Sequence, residues 1–323
     1  MDGDVNPNTK VPRYRARVED CEVDDRDALL KYRVKRDLWL GWYEHSAAEP
    51  NSIQQQLFSM IFIDLTYRAV ISPRRDSADI AAKSGILAHL LDQCYVANQI
   101  LAIRRLLDTR KDVISLRRLL DDISDSRELL TREIYVCYDG LPYDFESWRL
   151  LPATLETRMW GIQAPGFGKY VGSKARHEMF DRLSGISATA RARTDRIRDA
   201  VFDRLESWIK ATPAAKIRTL SHKFFAHAAD PNSRDSLENS GIKLADIAEI
   251  HRALVRVERA ITDQILFIAV ARDVVPMPPL GLFKGLDNPY ASTDWIEKMH
   301  QQWRELSEER EGWTHGVADE LTT

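Results

Sequence analysis

This chain has little of what punctuates or cross-links a protein. Its 323 residues include only 14 glycines and 13 prolines. Most of the prolines sit in a few breaks, so long stretches carry no helix breaker, and helices are favoured over many short strands. The three cysteines, Cys21, Cys94 and Cys137, are odd in number and widely spaced. They make neither a zinc-type pair nor a disulfide framework. No apolar run reaches membrane-spanning length; Leu57–Val70 is interrupted by Asp64, Thr66 and Arg68. Met1–Asp27 is polar and charged, without the apolar centre of a secretion signal. These absences lead us to expect a cytoplasmic protein that does not associate with a membrane. The net charge of −3 excludes a general basic field, so any nucleic-acid site must be local. No phosphate loop, dinucleotide fingerprint or serine nucleophile elbow occurs, and Gly166-Phe167-Gly168 is too short to cradle phosphates. No cofactor is expected.

What is present is an ordinary globular balance, 44% hydrophobic and 29% charged, enough for a sizeable core. Apolar residues at helical spacing predict helices over about 27–45, 52–69 with Ser52 as N-cap, 80–108, 115–135, 194–211 and 244–270. Pro50-Asn51 and Pro73-Arg74 read as breaks between them. The segment 80–108 is apolar on two stripes, Leu87, Leu91, Cys94, Leu101 and Arg105 on one and Val96, Ile100, Ile103 and Leu107 on the other. That pattern predicts a helix sandwiched inside a bundle. Residues 137–175 are rich in glycine, proline and aromatics, which predicts a long loop or insertion with Tyr138, Tyr143, Trp148, Trp160 and Tyr170 as a potential ligand surface. Thr293 or Ser292 caps a last helix with Trp295, Met299, Trp303 and Leu306 aligned. The expected organisation is a flexible arm over 1–26, an all-α bundle over 27–275 with the 137–175 insertion, and a C-terminal linker and helix over 276–323.

The best chemical clue is the short helix after Thr212-Pro213, an N-cap followed by proline. With Leu220 at zero on a helical wheel, Ile217, Phe224 and His227 share one stripe, and Lys216 and Lys223 flank it. Lys223 and His227 are four apart and close enough to interact; a neighbouring cation favours neutral imidazole, as a general base requires. The competing reading is a hydrogen-bonded core histidine. His222 and Arg218 fall on the opposite face. His222 and His227 are five apart, about 140° around the helix, so they do not form a zinc pair, and no metal site is expected. Arg105 and Asp108 read either as part of a site or as an ion pair closing a helix end.

The stretch Ile103-Arg104-Arg105-Leu106-Leu107-Asp108, followed by Ser115-Leu116-Arg117-Arg118-Leu119-Leu120, resembles the abortive-infection AbiU-type branch of the HEPN superfamily. Lys216-Ile217-Arg218 through Lys223, Ala226 and His227 is similar to that branch's second motif. The resemblance implies a HEPN-like helical bundle, commonly a homodimer, that acts on RNA in phage defence beside an antitoxin or another defence partner. Active members are metal-independent endoribonucleases in which an arginine and a histidine separated by four residues serve the ribose 2′-hydroxyl and the phosphate. By position the histidine is His227, and the arginine is replaced by His222, which lacks a permanent forked charge. Taken together with the helix reading, the expected catalytic residues are His227, Lys223, His222, Arg105 and Asp108, and the expected substrate-binding residues are Lys216 and Arg218. The alternative is a non-catalytic helical binding or dimerisation module.

Overall fold

The computed structural model describes residues 14–44, 51–76, 86–148, 167–221, 242–268 and 293–322, with 275, 277, 280–282 and 284. Among them the regular structure is helical: α1 (Arg26–Tyr43), α2 (Ile53–Asp76), α3 (Ile86–Leu106), α4 (Leu116–Asp125), α5 (Arg132–Cys137), α6 (Phe167–Ser184), α7 (Asp199–Lys210), α8 (Ala214–Leu220), α9 (Leu244–Arg259, continuing through a π-turn at Ala260–Ile265), α10 (Thr293–Glu311) and α11 (Val317–Thr322). No strand forms among the described residues; an isolated antiparallel bridge joins Thr131 and Arg196. The described chain is all-α, as the scarcity of breakers predicts. No helix among these residues is long and apolar enough to cross a membrane.

Two compact units form, one from residues 1–38 and 125–199 with Thr322, the other from 39–124 and 200–321 with Thr323. In the first unit α5 packs on α6 over a core that includes Leu130, Ile134, Tyr135, Val136, Phe180 and Leu183. The single helix expected over 115–135 is broken here, and the hydrogen bonds show why. Thr131 caps α5, its side chain accepting from Ile134 N. The next two backbone donors are taken from outside the helix, Arg132 N by Asp195 O at 2.9 Å and Glu133 N by Arg193 O at 3.1 Å. Those bonds satisfy donors that a helix start leaves orphaned. They also hold 193–196 in a non-helical turn and bridge, so α7 starts at Asp199 rather than near residue 194.

The Arg132 side chain is fully buried and anchors this junction. Its Nε donates to Asp195 at 2.8 Å and its Nη1 to Asp181 at 2.7 Å, with the guanidinium over the Phe180 ring. Arg191 makes a second pair with Asp181 at 2.6 Å. Two cations thus meet two carboxylates, the condition under which buried charge is tolerated. Residues 14–26, expected within a flexible arm, are held by scattered polar contacts. Tyr14 OH donates to Asp37 at 2.8 Å, Arg33 donates to Ala16 O and Tyr138 O, and Asp24 N donates to Glu133. Of the expected 137–175 loop, residues from Phe167 onward are helical, and 149–166 lie outside the described residues. Its described aromatics pack inward: Tyr138 is buried, Tyr143 meets His177 edge-on, and Tyr170 lies against Phe145.

In the second unit α2 packs on α3 and α10. The predicted stripe of α9 (Ile247, Ile250, Leu254, Val257, Ile261, Ile265) is buried throughout, as are Met299, Trp303 and Leu306 of α10. Each such side chain contributes roughly 1.5–3 kcal/mol over an exposed one. The helix α2 continues past Pro73 to Asp76, one turn beyond the expected break. The helix α3 is not sandwiched. Tyr95, Gln99, Ile100, Ile103 and Leu106 face the core, whereas Leu91 and Leu101 are 41% and 42% exposed and Cys94, Asn98 and Arg105 are exposed with them. Burying that stripe would bury Asn98 and Arg105 too, and unpaired polar groups oppose it.

A cation-rimmed cleft as the candidate functional site

The two stretches that carry the chemical clue lie in the second unit, and there α8 packs against α3. Each reaches its position through a capped turn. After α3 ends, the Asp108 carboxylate accepts from Arg110 N at 2.9 Å and pairs with the Arg110 guanidinium at 3.2 Å. Ser115 Oγ donates to Asp108 O at 2.5 Å and accepts from Arg118 N at 3.0 Å, which starts α4. Arg118 Nη1 closes the loop on Val113 O at 2.7 Å. On the other side Thr212 Oγ1 accepts from Ala214 N at 3.4 Å and Pro213 O accepts from Lys216 N, the expected cap and proline at the start of α8.

Between these turns opens a cavity of about 660 Å³, lined by Ile103, Arg104, Leu107, Asp108, Thr109, Arg110 and Arg117 on one side and by Ile209, Lys210, Thr212, Ala214, Ala215 and Ile217 on the other. Its floor is aliphatic. Its lining includes four cations, Arg104, Arg110, Arg117 and Lys210, and one carboxylate, Asp108; Asp121 and Glu206, outside the lining, pair with Arg117 and Lys210. Counting those carboxylates, the cleft keeps an excess of one cation, Arg104.

Glu206 organises part of that lining. Arg117 Nη2 donates to Glu206 and, at 2.8 Å, to Asp121; Lys210 pairs with Glu206 at 3.2 Å. Burial works against the Arg117 charge, but the bonds from Arg117 to Asp121 and Glu206 outweigh it and raise its pKa. Burial likewise favours the neutral form of Glu206, and Arg117 and Lys210 override it and lower the pKa. Arg117 is therefore a fixed, permanently charged group. Arg104 makes no ion pair among the described residues.

The residues expected at the site divide into three groups. Asp108 lines the cleft, but Arg105 points away as an exposed side chain, and Asp108 pairs with Arg110 instead of Arg105. Lys216 is exposed on α8, next to the buried Ile217. Arg218 lies on α8 with its side chain outside the described residues, and His222, Lys223 and His227 lie outside them altogether. Among the described residues no group of three or more His, Cys, Asp or Glu side chains stands ready to hold a metal ion.

Two buried polar centres in the second unit were not anticipated. Asp64 of α2, fully buried, accepts from Tyr95 at 2.5 Å, from Arg68 at 2.9 Å and from Arg310 of α10, with His251 Nδ1 at 3.8 Å. Burial alone would raise its pKa, but His251, Arg68 and Arg310, with the Tyr95 hydrogen bond, bring it down to about 2. Burial drives His251 the other way, to about 4. At neutral pH His251 is therefore uncharged, and the two arginines keep Asp64 ionised. His251 Nε2 meets Gln99 Oε1 at 2.9 Å, which puts the ring proton on that nitrogen. The second centre is Glu258, whose carboxylate accepts from Tyr43 OH at 2.5 Å one residue before the end of α9. The available signal for Asp64 was its place in an otherwise apolar run, four residues before Arg68. Comparison of the chain with protein families, with curated proteins and with solved structures gives no match.

Proposed function

We propose that this chain is a HEPN-like protein that acts on RNA, as a metal-independent endoribonuclease in phage defence. One observation supports the reading most: α3 and α8, which carry the first residues of the two motif-like stretches, meet around a cleft lined by arginines and a lysine. A phosphodiester is the ligand that such a lining attracts. In this reading His227, seven residues beyond the end of α8, deprotonates the 2′-hydroxyl or protonates the leaving oxygen. Lys223 stabilises charge on the phosphate. Arg104, rather than Arg105, supplies the guanidinium from α3, because Arg104 lines the cleft and Arg105 does not.

A second reading, a non-catalytic dimerisation or binding module, is favoured by two features. His222 stands where the motif calls for arginine. The Leu91–Cys94–Leu101 stripe of α3 is exposed, as a homodimer or an antitoxin interface would require. The test is incubation of the purified protein with total RNA in EDTA, wild type beside His227→Ala. Cleavage by wild type alone, with both proteins folded, is the expected outcome. Full activity in the variant refutes the assignment of His227. No cleavage by either moves the reading to the binding module.

A further inference from the structure

The helix α9 does not end in a plain cap. It runs from Arg259 into the π-turn Ala260–Ile265, a rare geometry, closed by Leu266 N on Ile261 O and by Ile268 N on Thr262 O, both at 2.8 Å. Phe267 follows with φ +47°, the one positive value for a residue other than glycine among the described residues. A bulky side chain at positive φ is strained, and such strain persists only where surrounding contacts hold it. Arg259 supplies one of those contacts. Its Nη1 lies 3.7 Å from Asp263 Oδ1, an i, i+4 pair that spans the turn.

The same guanidinium has a second carboxylate in reach. Its Nε lies 3.8 Å from Glu258 Oε2. Neither separation is a hydrogen bond, so Arg259 stands between two competitors. Glu258 is held at its other oxygen by Tyr43 OH at 2.5 Å. The titratable and charged groups that face it are Arg259, Tyr43 and Asp263, and burial among them pushes its carboxyl up to about 7. While that carboxyl is neutral, the guanidinium serves Asp263. Once it ionises, Oε2 becomes a buried anionic oxygen, which is costly without a charged donor. A shift of about 1 Å by the arginine head brings Nε into hydrogen-bond range. The same shift draws Nη1 off Asp263, which is part-exposed and keeps water and the Thr262 hydroxyl as partners. We infer that Glu258, Arg259 and Asp263 form a proton-operated latch: with Glu258 protonated, Arg259 ties the π-turn through Asp263, and with Glu258 ionised it changes partner and releases the turn. This device does not depend on the RNA reading.

The test is amide hydrogen exchange on the full chain, resolved by NMR at pH 6 and pH 8. It is expressed as protection factors, which remove the intrinsic effect of pH on exchange. The reporters are Leu266 and Ile268, whose N–H groups close the turn, and Leu254 inside α9 is the reference. In the wild type, protection at the two reporters is expected to fall about fivefold relative to Leu254 from pH 6 to pH 8, the scale on which one partly exposed ion pair contributes. Glu258→Gln is expected to keep the reporters protected at both pH values, because it cannot ionise. Asp263→Asn is expected to leave them poorly protected at both, because the tie is gone. Circular dichroism checks that each variant folds. A carbon-13 titration of the Glu258 carboxyl is expected to share its midpoint with the exchange step. Reporters that change no more than Leu254 overturn the latch and leave only a general effect of pH on stability. A relative fall that persists in Glu258→Gln, or a carboxyl that titrates in the ordinary glutamate range of about 4.3, removes Glu258 as the trigger and overturns it as well.

Discussion

Replacing Glu258 by glutamine should make the second unit more stable at pH 8 than the wild type, and less so as the pH falls. Glu258 is 7% exposed, and burial drives its pKa from 4.5 to about 7, against the pull of Arg259 and the Tyr43 hydrogen bond and with added repulsion from Asp263. Below pH 4.5 the carboxyl is protonated in both folded and unfolded chains. Between 4.5 and 7 the folded chain keeps the proton and the unfolded chain releases it, so stability falls as the pH rises. Above 7 both are ionised and the full penalty is in place. At about 1.4 kcal/mol per pH step, this amounts to roughly 3 kcal/mol across the window. Glutamine keeps the shape and the acceptor for Tyr43 but cannot ionise, so the penalty is absent at every pH.

The wild type alone would hide this effect, because His251 has the opposite sign. Its pKa is lowered from 6.5 to about 4 by burial, so its contribution is lost as the pH falls through that interval. From 4.5 to 6.5 the two slopes oppose each other. The informative quantity is therefore the difference between Glu258→Gln and wild type, measured by urea unfolding at pH 4.5, 5.5, 6.5, 7.5 and 8. Six of the eight tryptophans (Trp39, Trp42, Trp208, Trp295, Trp303 and Trp313) belong to the second unit, so tryptophan emission reports mainly on it. The variant's midpoint should gain on the wild type by about 1 M or more between pH 4.5 and 7.5, from typical urea slopes of 1–3 kcal/mol/M. A difference that stays constant with pH, or that grows toward acid, refutes the reasoning.

Three further substitutions test other parts of the fold. Arg132→Met takes from Asp195 its ion-pair partner and leaves Asp181 to Arg191 alone, and should cost about 3–5 kcal/mol in urea unfolding; a loss below about 1 kcal/mol would show that the network is dispensable. Gly140→Ala should cost about 1–3 kcal/mol, because the residue has φ +79° and an added Cβ runs into Ala16 Cβ. Gly41→Ala, in the last turn of α1 with open space where a Cβ would sit, should instead raise the melting temperature through a gain of up to about 0.5–1 kcal/mol. A thermal melt in which the two alanines shift alike would refute this account of both glycines.

Helix period carried most of the fold into view, because burial follows it wherever the helix has one apolar face. The α9 stripe and the Met299–Trp303–Leu306 stripe of α10 are the clear cases. Period failed where backbone donors found partners far away in sequence. The apolar spacing of 115–135 is continuous, yet Asp195 O and Arg193 O take the donors that start α5, and no local pattern announces carbonyls sixty residues downstream. Residues 14–26 were illegible for a related reason: they are held by single hydrogen bonds to side chains and carbonyls, which leave no hydrophobic repeat.

The cleft shows the same limit acting on charge. Arg104 and Arg105 are neighbours in sequence, and a step of 100° around α3 decides that the first lines the cavity and the second faces solvent. The polar members of the Leu91–Leu101 stripe already said so: Asn98 and Arg105 share the face of Leu101, and an unpaired guanidinium does not pay its way into a core. The sequence spacing of Arg105 and Asp108 suits an i, i+3 pair only while the helix lasts. The helix ends at Leu106, and beyond it the nearest cation in reach of Asp108 is Arg110, two residues on, whose own backbone N–H bonds the same carboxylate. That local closure fixes the turn, and the turn supplies Asp108, Thr109 and Arg110 to the lining of the cleft. The chemistry of the cleft therefore depends on where α3 stops, and a substitution that extended the helix through Asp108 would remove the turn that shapes it.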